Sequence, residues 1–206
     1  LLSVSYSQAV KWMSVGNLHN WYSSAGCEIE VGRTGQISDQ QDGLRWPAFY
    51  RVQDNQAAKG LWLGGKNFYD PIVDKEYEHK VVHAGPRHLD IVGETIPMEL
   101  TMYGRYDHPN VLVDGDPSTS LQYLDEVDYI DSDLISDRKI YNEVQTSMGV
   151  KMKRTIYSFA HPEHQNYHIQ EYVFINNGCF DKECDTEYQQ TIEGFQVYLQ
   201  YRYAIS

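Results

Sequence analysis

Hydrophobic and polar positions alternate most regularly in the last third of the chain. Between Thr191 and Ile205, Phe195, Val197, Leu199, Tyr201, Tyr203 and Ile205 alternate with Gln196, Tyr198, Gln200, Arg202 and Ala204. A period of two predicts a strand with one face on a core. Upstream, Val150–Phe159 and Tyr167–Ile175 are strand-like runs joined by the polar connection Ala160–Asn166, which carries Pro162 and Asn166; this is the pattern of a β-hairpin. Shorter strand candidates lie at Lys80–His83, His88–Val92 and Met98–Tyr103, with Gly85-Pro86 punctuating the first gap. Residues 10–70 offer the apolar pieces Cys27–Val31, Ala48–Val52 and Leu61–Leu63, separated by turn signals such as Gln41-Asp42-Gly43 and Gly64-Gly65. Helical periodicity is scarce; Ser7–Met13 and Ser120–Val127 amount to one turn each at most. The expected fold is therefore all-β, an antiparallel β-sandwich with long acidic loops and little helix. It is expected to form a single domain over residues 1–206, with a soft division near 104–138.

A chain of 206 residues is long enough to bury a substantial core. Its net charge of −12 argues against a nucleic-acid partner, because phosphate binding needs a basic stripe. The one basic cluster, Lys151, Lys153 and Arg154, has a spacing that fits the solvent edge of a strand. No run of 18 apolar residues occurs, so no membrane-spanning helix is expected. Tyrosine is abundant, at 17 residues, which suits strands and also provides wide faces with a polar tip. In the N-terminal third Trp46, Tyr50, Trp62 and Tyr69 stand among Asn, Gln and Asp, the raw material of a sugar-stacking platform. Trp46-Pro47 and Leu61–Leu63 read equally well as core strands.

The acidic middle is the best candidate for a metal. Asp114 and Asp116 flank Gly115, and Asp125, Asp128, Asp131 and Asp133 follow. Calcium takes six to eight oxygens from flexible loops, and clustered Asp can supply them. The EF-hand spacing is absent, and Asp also caps turns. His79 and His83 are four apart, but on a strand they stand roughly 13 Å apart, too far for one ion. His161, His164 and His168 surround the hairpin turn, where His161 and His164 can converge; a turn histidine is ordinarily polar surface. Cys179 and Cys184 sit five positions apart in a loop and suit a local disulfide and an oxidising compartment, which leaves Cys27 buried or unpaired. No GxSxG, HExxH, P-loop or GxGxxG string occurs, so the residues spell no particular reaction. The opening LLSVSYSQA reads either as the tail of a leader or as an ordered arm. As an arm, Leu1, Leu2, Val4 and Tyr6 would add a strand to a neighbour's sheet.

Several strings, KWMSVGNLHNWYSSAGCEIE, QQDGLRWPAFY, AAKGLWLGGKNFYD and SDLISDRKIYNEVQTSMGVKMKRTIYSFAHPEHQNYHIQEYVFINNG, cover nearly the whole chain. In layout it resembles the N-terminal region of large uncharacterised secreted proteins of Bacteroidetes-like bacteria, which often end in fibronectin-like or sorting modules. The resemblance brings no catalytic residues. It implies a bacterial protein that is secreted or on the cell surface, with further domains beyond Ser206, and an open sheet edge near Thr191–Ile205. The first functional expectation is a structural or interaction domain that assembles with itself or with other extracellular proteins into a surface layer, fibre or secreted complex. The alternative is a glycan-binding module, calcium-supported through the Asp-rich loops. The third is a polysaccharide-acting enzyme domain.

Overall fold

The late hairpin and the strand that precedes it form the backbone of the molecule. The computed structural model describes residues 9–28, 43–50, 55–84, 94–108, 112–117 and 125–203. Among them the chain forms twelve strands and no helix. In chain order these are β1 (Val10–Met13), β2 (Asn20–Ser23), β3 (Gln56–Asp70), β4 (Lys75–Ala84), β5 (Thr95–Gly104) and β6 (Leu112–Val113). They continue with β7 (Asp116–Pro117), β8 (Tyr129–Ile130), β9 (Arg138–Thr146), β10 (Val150–Ser158), β11 (Ile169–Asn176) and β12 (Glu193–Tyr203). The all-β expectation is met. The alternating runs at 150–159, 167–175 and 191–205 appear as β10, β11 and β12 within two residues at each end. Val10–Met13, read as part of a helical turn, is instead a strand: it pairs antiparallel with β2 from Val10↔Ser23 to Met13↔Asn20. The arm residues Leu1, Leu2, Val4 and Tyr6, and the strand candidate at 88–92, lie outside the described residues.

Two larger sheets face each other. The first has the order β11-β10-β9-β5-β8, antiparallel except for the short β5–β8 pairing. The second has the order β12-β3-β4. β5 and β9 are direct neighbours, so residues 104–138 are a long connection inside one sheet. The shared core joins Leu61, Leu63 and Phe68 of β3 and Val82 of β4 to Val144, Met148, Val150, Met152 and Phe180. Burying each such side chain contributes about 1.5–3 kcal/mol. The alternation of β3 slips by one residue where Lys66 and Asn67 are both exposed and Asn67 takes a positive φ of 50°. Asn tolerates that left-handed conformation, and the slip keeps both Leu63 and Phe68 inside.

The other half of the five-stranded sheet is covered by the β1–β2 ribbon, where Met13 and Tyr22 pack on Met102, Ile140 and Ile156. A polar row separates the two apolar halves. Arg154 of β10 stands opposite Asn142 of β9, and both are buried, Arg154 at 1% exposure. Arg154 Nη2 donates to the Ser23 carbonyl (3.1 Å) and to Asn142 Oδ1 (3.0 Å). Asn142 Nδ2 donates to the carbonyls of Ser24 (3.0 Å) and Glu99 (2.8 Å). The guanidinium also lies 5.4 Å from the Tyr22 ring centroid. The basic cluster is thus divided by the strand period. Lys151 and Lys153 point outward and pair with Glu143, whereas Arg154 points into the core rather than to a solvent edge, because positions 150, 152, 154, 156 and 158 share the inner face.

Replacing Arg154 with alanine leaves Asn142 Oδ1 without its donor, removes one of the two donors to the Ser23 carbonyl and opens a void. The expected loss in urea unfolding is about 3 kcal/mol or more. Lys153→Ala, one residue away on the outer face, is expected to change stability by less than about 0.5 kcal/mol.

Candidate functional site

The two sheets part between their edge strands β11 and β12, and the gap holds a cavity of about 410 Å³. Its floor is an ion pair. Glu28, just beyond the β1–β2 ribbon, forms an isolated bridge with Lys59 of β3, and their side chains meet in a salt bridge that is almost fully covered. Asn20 Nδ2 donates to Glu28 Oε2 (2.6 Å), and Gln170 Nε2 donates to Glu28 Oε1 (2.7 Å). Tyr172 O–H in turn donates to Gln170 Oε1 (2.8 Å). Glu28 therefore has three donors, which offset the cost of burying its carboxylate. Burial lowers the Lys59 pKa, with Glu28 opposing that shift. The Lys59 ammonium lies 4.8 Å from the Tyr201 ring centroid.

The walls are aromatic. Tyr167 and Tyr172 line one side from β11 and its leading turn, and Tyr201 and Tyr203 line the other from β12. Burial, with Tyr172 and Glu28 nearby, pushes the Tyr201 phenol up to about 12. Burial likewise raises Tyr172. The closed end is built by Tyr22 and His168. His168 Nε2 lies 2.9 Å from the Leu18 carbonyl, which can only accept, so this nitrogen carries the hydrogen. His168 Nδ1 then accepts from the Tyr22 hydroxyl at 2.7 Å. Burial pushes the His168 pKa down to about 4 and lifts that of Tyr22 well above its ordinary value. The ribbon is seated here by backbone contact: Asn17 and Leu18 amides donate to the Gln165 carbonyl at 2.8 and 3.1 Å. Gly16 makes this approach possible, since an added Cβ would stand 2.5 Å from the Phe159 carbonyl oxygen, and its φ is +79°.

None of the four residues of the predicted aromatic platform lines this cavity; Trp46 borders it through Asn166. It lies at the rim, 51% exposed, and its Nε1 donates to Asn166 Oδ1 at 3.1 Å; Asn166 lines the cavity. Trp46 is thus not a core strand residue. Tyr50 lies beside it in sequence, exposed, with its ring 4.1 Å from that of Phe49. Trp62, 44% exposed, faces away from the core beside Tyr198 and His83; its neighbours Leu61 and Leu63 are the buried ones. Tyr69 bonds Asp74 (2.7 Å) and stacks near Tyr188. It is ten residues along β3 from Lys59, roughly 33 Å. The four aromatics do not form one platform.

The aspartates are dispersed as well. Asp114 and Gly115, with φ of 55° and 94°, form the two-residue turn of the β6–β7 hairpin, and Asp116 begins β7. Asp125 is buried against His108 (3.1 Å) and Arg138 (3.5 Å). Asp128 takes Lys11 Nζ and the Met102 amide, both at 2.7 Å. Asp131 accepts from the Asp133 amide at 3.1 Å. No three of these carboxylates converge among the described residues. The one group of three or more His, Cys, Asp or Glu side chains that does converge there is His161, Glu163 and His164 in the hairpin turn. Cys179 and Cys184 are disulfide-bonded, and Cys27 is free and buried in the Trp12–Trp21 cluster.

The sequence named His168 as a turn histidine and Tyr201 and Tyr203 as strand residues, but it did not single out Glu28, Lys59, Gln170 or Tyr172, nor their meeting in one cavity. Two signals pointed to them: an acid inside the apolar piece Cys27–Val31, and the strand period that places Gln170, Tyr172 and Phe174 on one face of β11.

The His168 pKa supplies a pH test. It is lower in the folded chain (about 4) than in the unfolded one (about 6.5), so the unfolded state binds more protons between those values. Stability is expected to be full above pH 6.5 and to fall by roughly 2–3 kcal/mol as pH drops toward 4. His19, whose pKa burial also lowers, acts in the same direction. The quantity to measure is therefore the difference between wild type and His168→Gln in urea unfolding midpoints from pH 7 to 4; the variant is expected to show the shallower slope.

Comparison with protein-family models, with curated proteins and with solved structures found no match for this chain in any of the three, so its functional reading rests on its own residues.

Proposed function

We propose that this chain is a secreted or cell-surface bacterial binding module that takes a polyhydroxylated ligand, a sugar residue or short oligosaccharide, in the cavity between β11 and β12. The observation that carries this reading is the convergence of five tyrosine rings, three side-chain amides and one ion pair on a single cavity of about 410 Å³. Aromatic faces cover the C–H faces of a sugar ring, while amides and ions give and take hydrogen bonds from its hydroxyls. Trp46 holds Asn166 at the rim. Glu28 is held by Asn20, Lys59 and Gln170, and it in turn fixes the positions of those side chains on the cavity lining. The Cys179–Cys184 disulfide supports an oxidising compartment.

The test is a glycan array followed by calorimetry on the best oligosaccharide. Tyr172→Ala and Gln170→Ala are each expected to weaken binding about tenfold, equivalent to about 1.4 kcal/mol. No oligosaccharide above background, or binding unchanged in both variants, would overturn the reading.

A second reading, assembly with another copy of the chain, is favoured by β12 itself. Among the described residues β12 pairs with β3 on one side and with no strand on the other. Its inner-face residues Phe195, Val197, Leu199 and Tyr201 remain 37–42% exposed. Edge strands resist strand addition through Lys, Pro or bulges, yet Gln196–Tyr201 is unbroken in register and has no charge or proline. Sedimentation velocity at ~0.15 M salt, where the net charge is largely screened, is expected to show a concentration-dependent dimer that Val197→Lys abolishes. A monomer at every concentration would remove this reading and leave the sugar-binding one standing.

A further inference from the structure

We infer that the β10–β11 turn is a binding site for a divalent transition-metal ion of the zinc class, held by His161, Glu163 and His164. Ligand atoms from these three side chains lie within 4.8 Å of one another, and all three residues are exposed. A tetrahedral zinc with bonds near 2.1 Å holds its ligands roughly 3.4 Å apart. Modest side-chain rotations of exposed groups close that difference. Two imidazoles and one carboxylate select zinc, cobalt, nickel or copper over calcium, which prefers oxygen alone. Three protein ligands leave a fourth position for water or another donor.

The backbone beneath these side chains is tied down on several sides, so the ligands project from a fixed frame. Inside the turn the His164 amide donates to the His161 carbonyl at 2.8 Å. At its start the Ala160 amide donates to Asp137 Oδ2 at 2.7 Å. At its end the Gln165 carbonyl receives the Asn17 and Leu18 amides, and Asn17 Nδ2 donates to Asn166 Oδ1 at 2.9 Å. A turn serving only as a connection does not need four separate anchors. Such anchoring reduces the ordering cost of closing the three ligands on an ion.

A supporting contact behind the site has the chemistry expected of a metal-ligating histidine. His164 Nδ1 is hydrogen-bonded to the Tyr167 hydroxyl. With Nδ1–H donating to that oxygen, Nε2 carries the lone pair and is the free ligand. Such outer partners orient a ligating imidazole, and their loss typically weakens metal binding about 10–100-fold. At His161 a weak contact, the Glu163 amide at 3.3 Å from Nδ1, gives way when the ring turns to the ion. The site is separate from the sugar cavity, although Tyr167 touches both.

The experiment is calorimetric titration of the metal-free chain with Zn²⁺, paralleled by Co²⁺ with its visible absorption. One ion per chain is expected, bound more tightly than about 100 µM, with the intense cobalt bands of low coordination number. His161→Ala and His164→Ala should each abolish that event, and Tyr167→Phe should weaken it about tenfold. His79→Ala, which removes another exposed histidine, should leave it unchanged. Circular dichroism checks the fold of each variant, and the mutated side chains are exposed. Absence of one-to-one binding would overturn the site, as would binding that survives the double His161→Ala, His164→Ala change.

Discussion

The arrangement of the molecule depends on one buried cation. Arg154 sits in the middle of the inner face of a β-sheet, where an apolar residue would be ordinary. It is kept there by the Ser23 carbonyl, Asn142 and the face of Tyr22. Burying a guanidinium is costly, and the two Nη2 hydrogen bonds and the Tyr22 face offset that cost, although Nε has no acceptor among the described residues. Those partners come from β9 and from the end of the β1–β2 ribbon, so the requirement selects where the ribbon lies. Once the ribbon is seated, Tyr22 meets His168 and Glu28 reaches Lys59. The polar row therefore specifies a docking arrangement that two apolar surfaces alone would leave free to slide.

The cavity follows from the same constraint. The five-stranded sheet has two covers, the three-stranded sheet over one apolar half and the ribbon over the other. Where the covers meet, beside β11, neither closes the gap completely. Its lining is consequently polar and aromatic, supplied by residues whose burial is paid for with hydrogen bonds: Glu28 with its three donors, and His168 with both nitrogens engaged. The depressed His168 and Lys59 pKa values and the raised tyrosine values share burial as their first cause. The site is electrostatically tuned by desolvation, with Glu28 and Arg154 acting in opposite directions on Tyr22 and Tyr172.

Much of the fold was legible in the chain. The runs at β10, β11 and β12 carry a strict period of two, and period is a local property that the pleat converts directly into faces. The hairpin turn with Pro162 and the Asp114-Gly115 turn are local signals of the same kind. The site was far less legible. Glu28, Lys59, His168 and Tyr201 are separated by up to 173 positions, and nothing in the spacing of such residues records that they meet. The aromatic residues Trp46, Trp62 and Tyr69 look alike in composition, yet the strand period and strand length send them to a cavity rim, an outer face and a far end. The aspartates likewise went to different places: a hairpin turn, a buried ion pair, a contact with Lys11 and the Met102 amide, and a local cap.

What the sequence by itself determined is therefore the class of structure: alternation makes strands, the scarcity of helical periodicity keeps the described chain free of helices, and turn residues divide one strand from the next. Arg154, read with its lysine neighbours as part of a solvent edge, went inside because it shares the inner face with Val150, Met152 and Ile156. Only the tertiary structure decided which strands became neighbours and where the two sheets stop covering each other. Those outcomes depend on long-range burial and on finding partners for most buried polar groups at once. The cavity is the place where these two demands meet, and it exists at no single point along the chain.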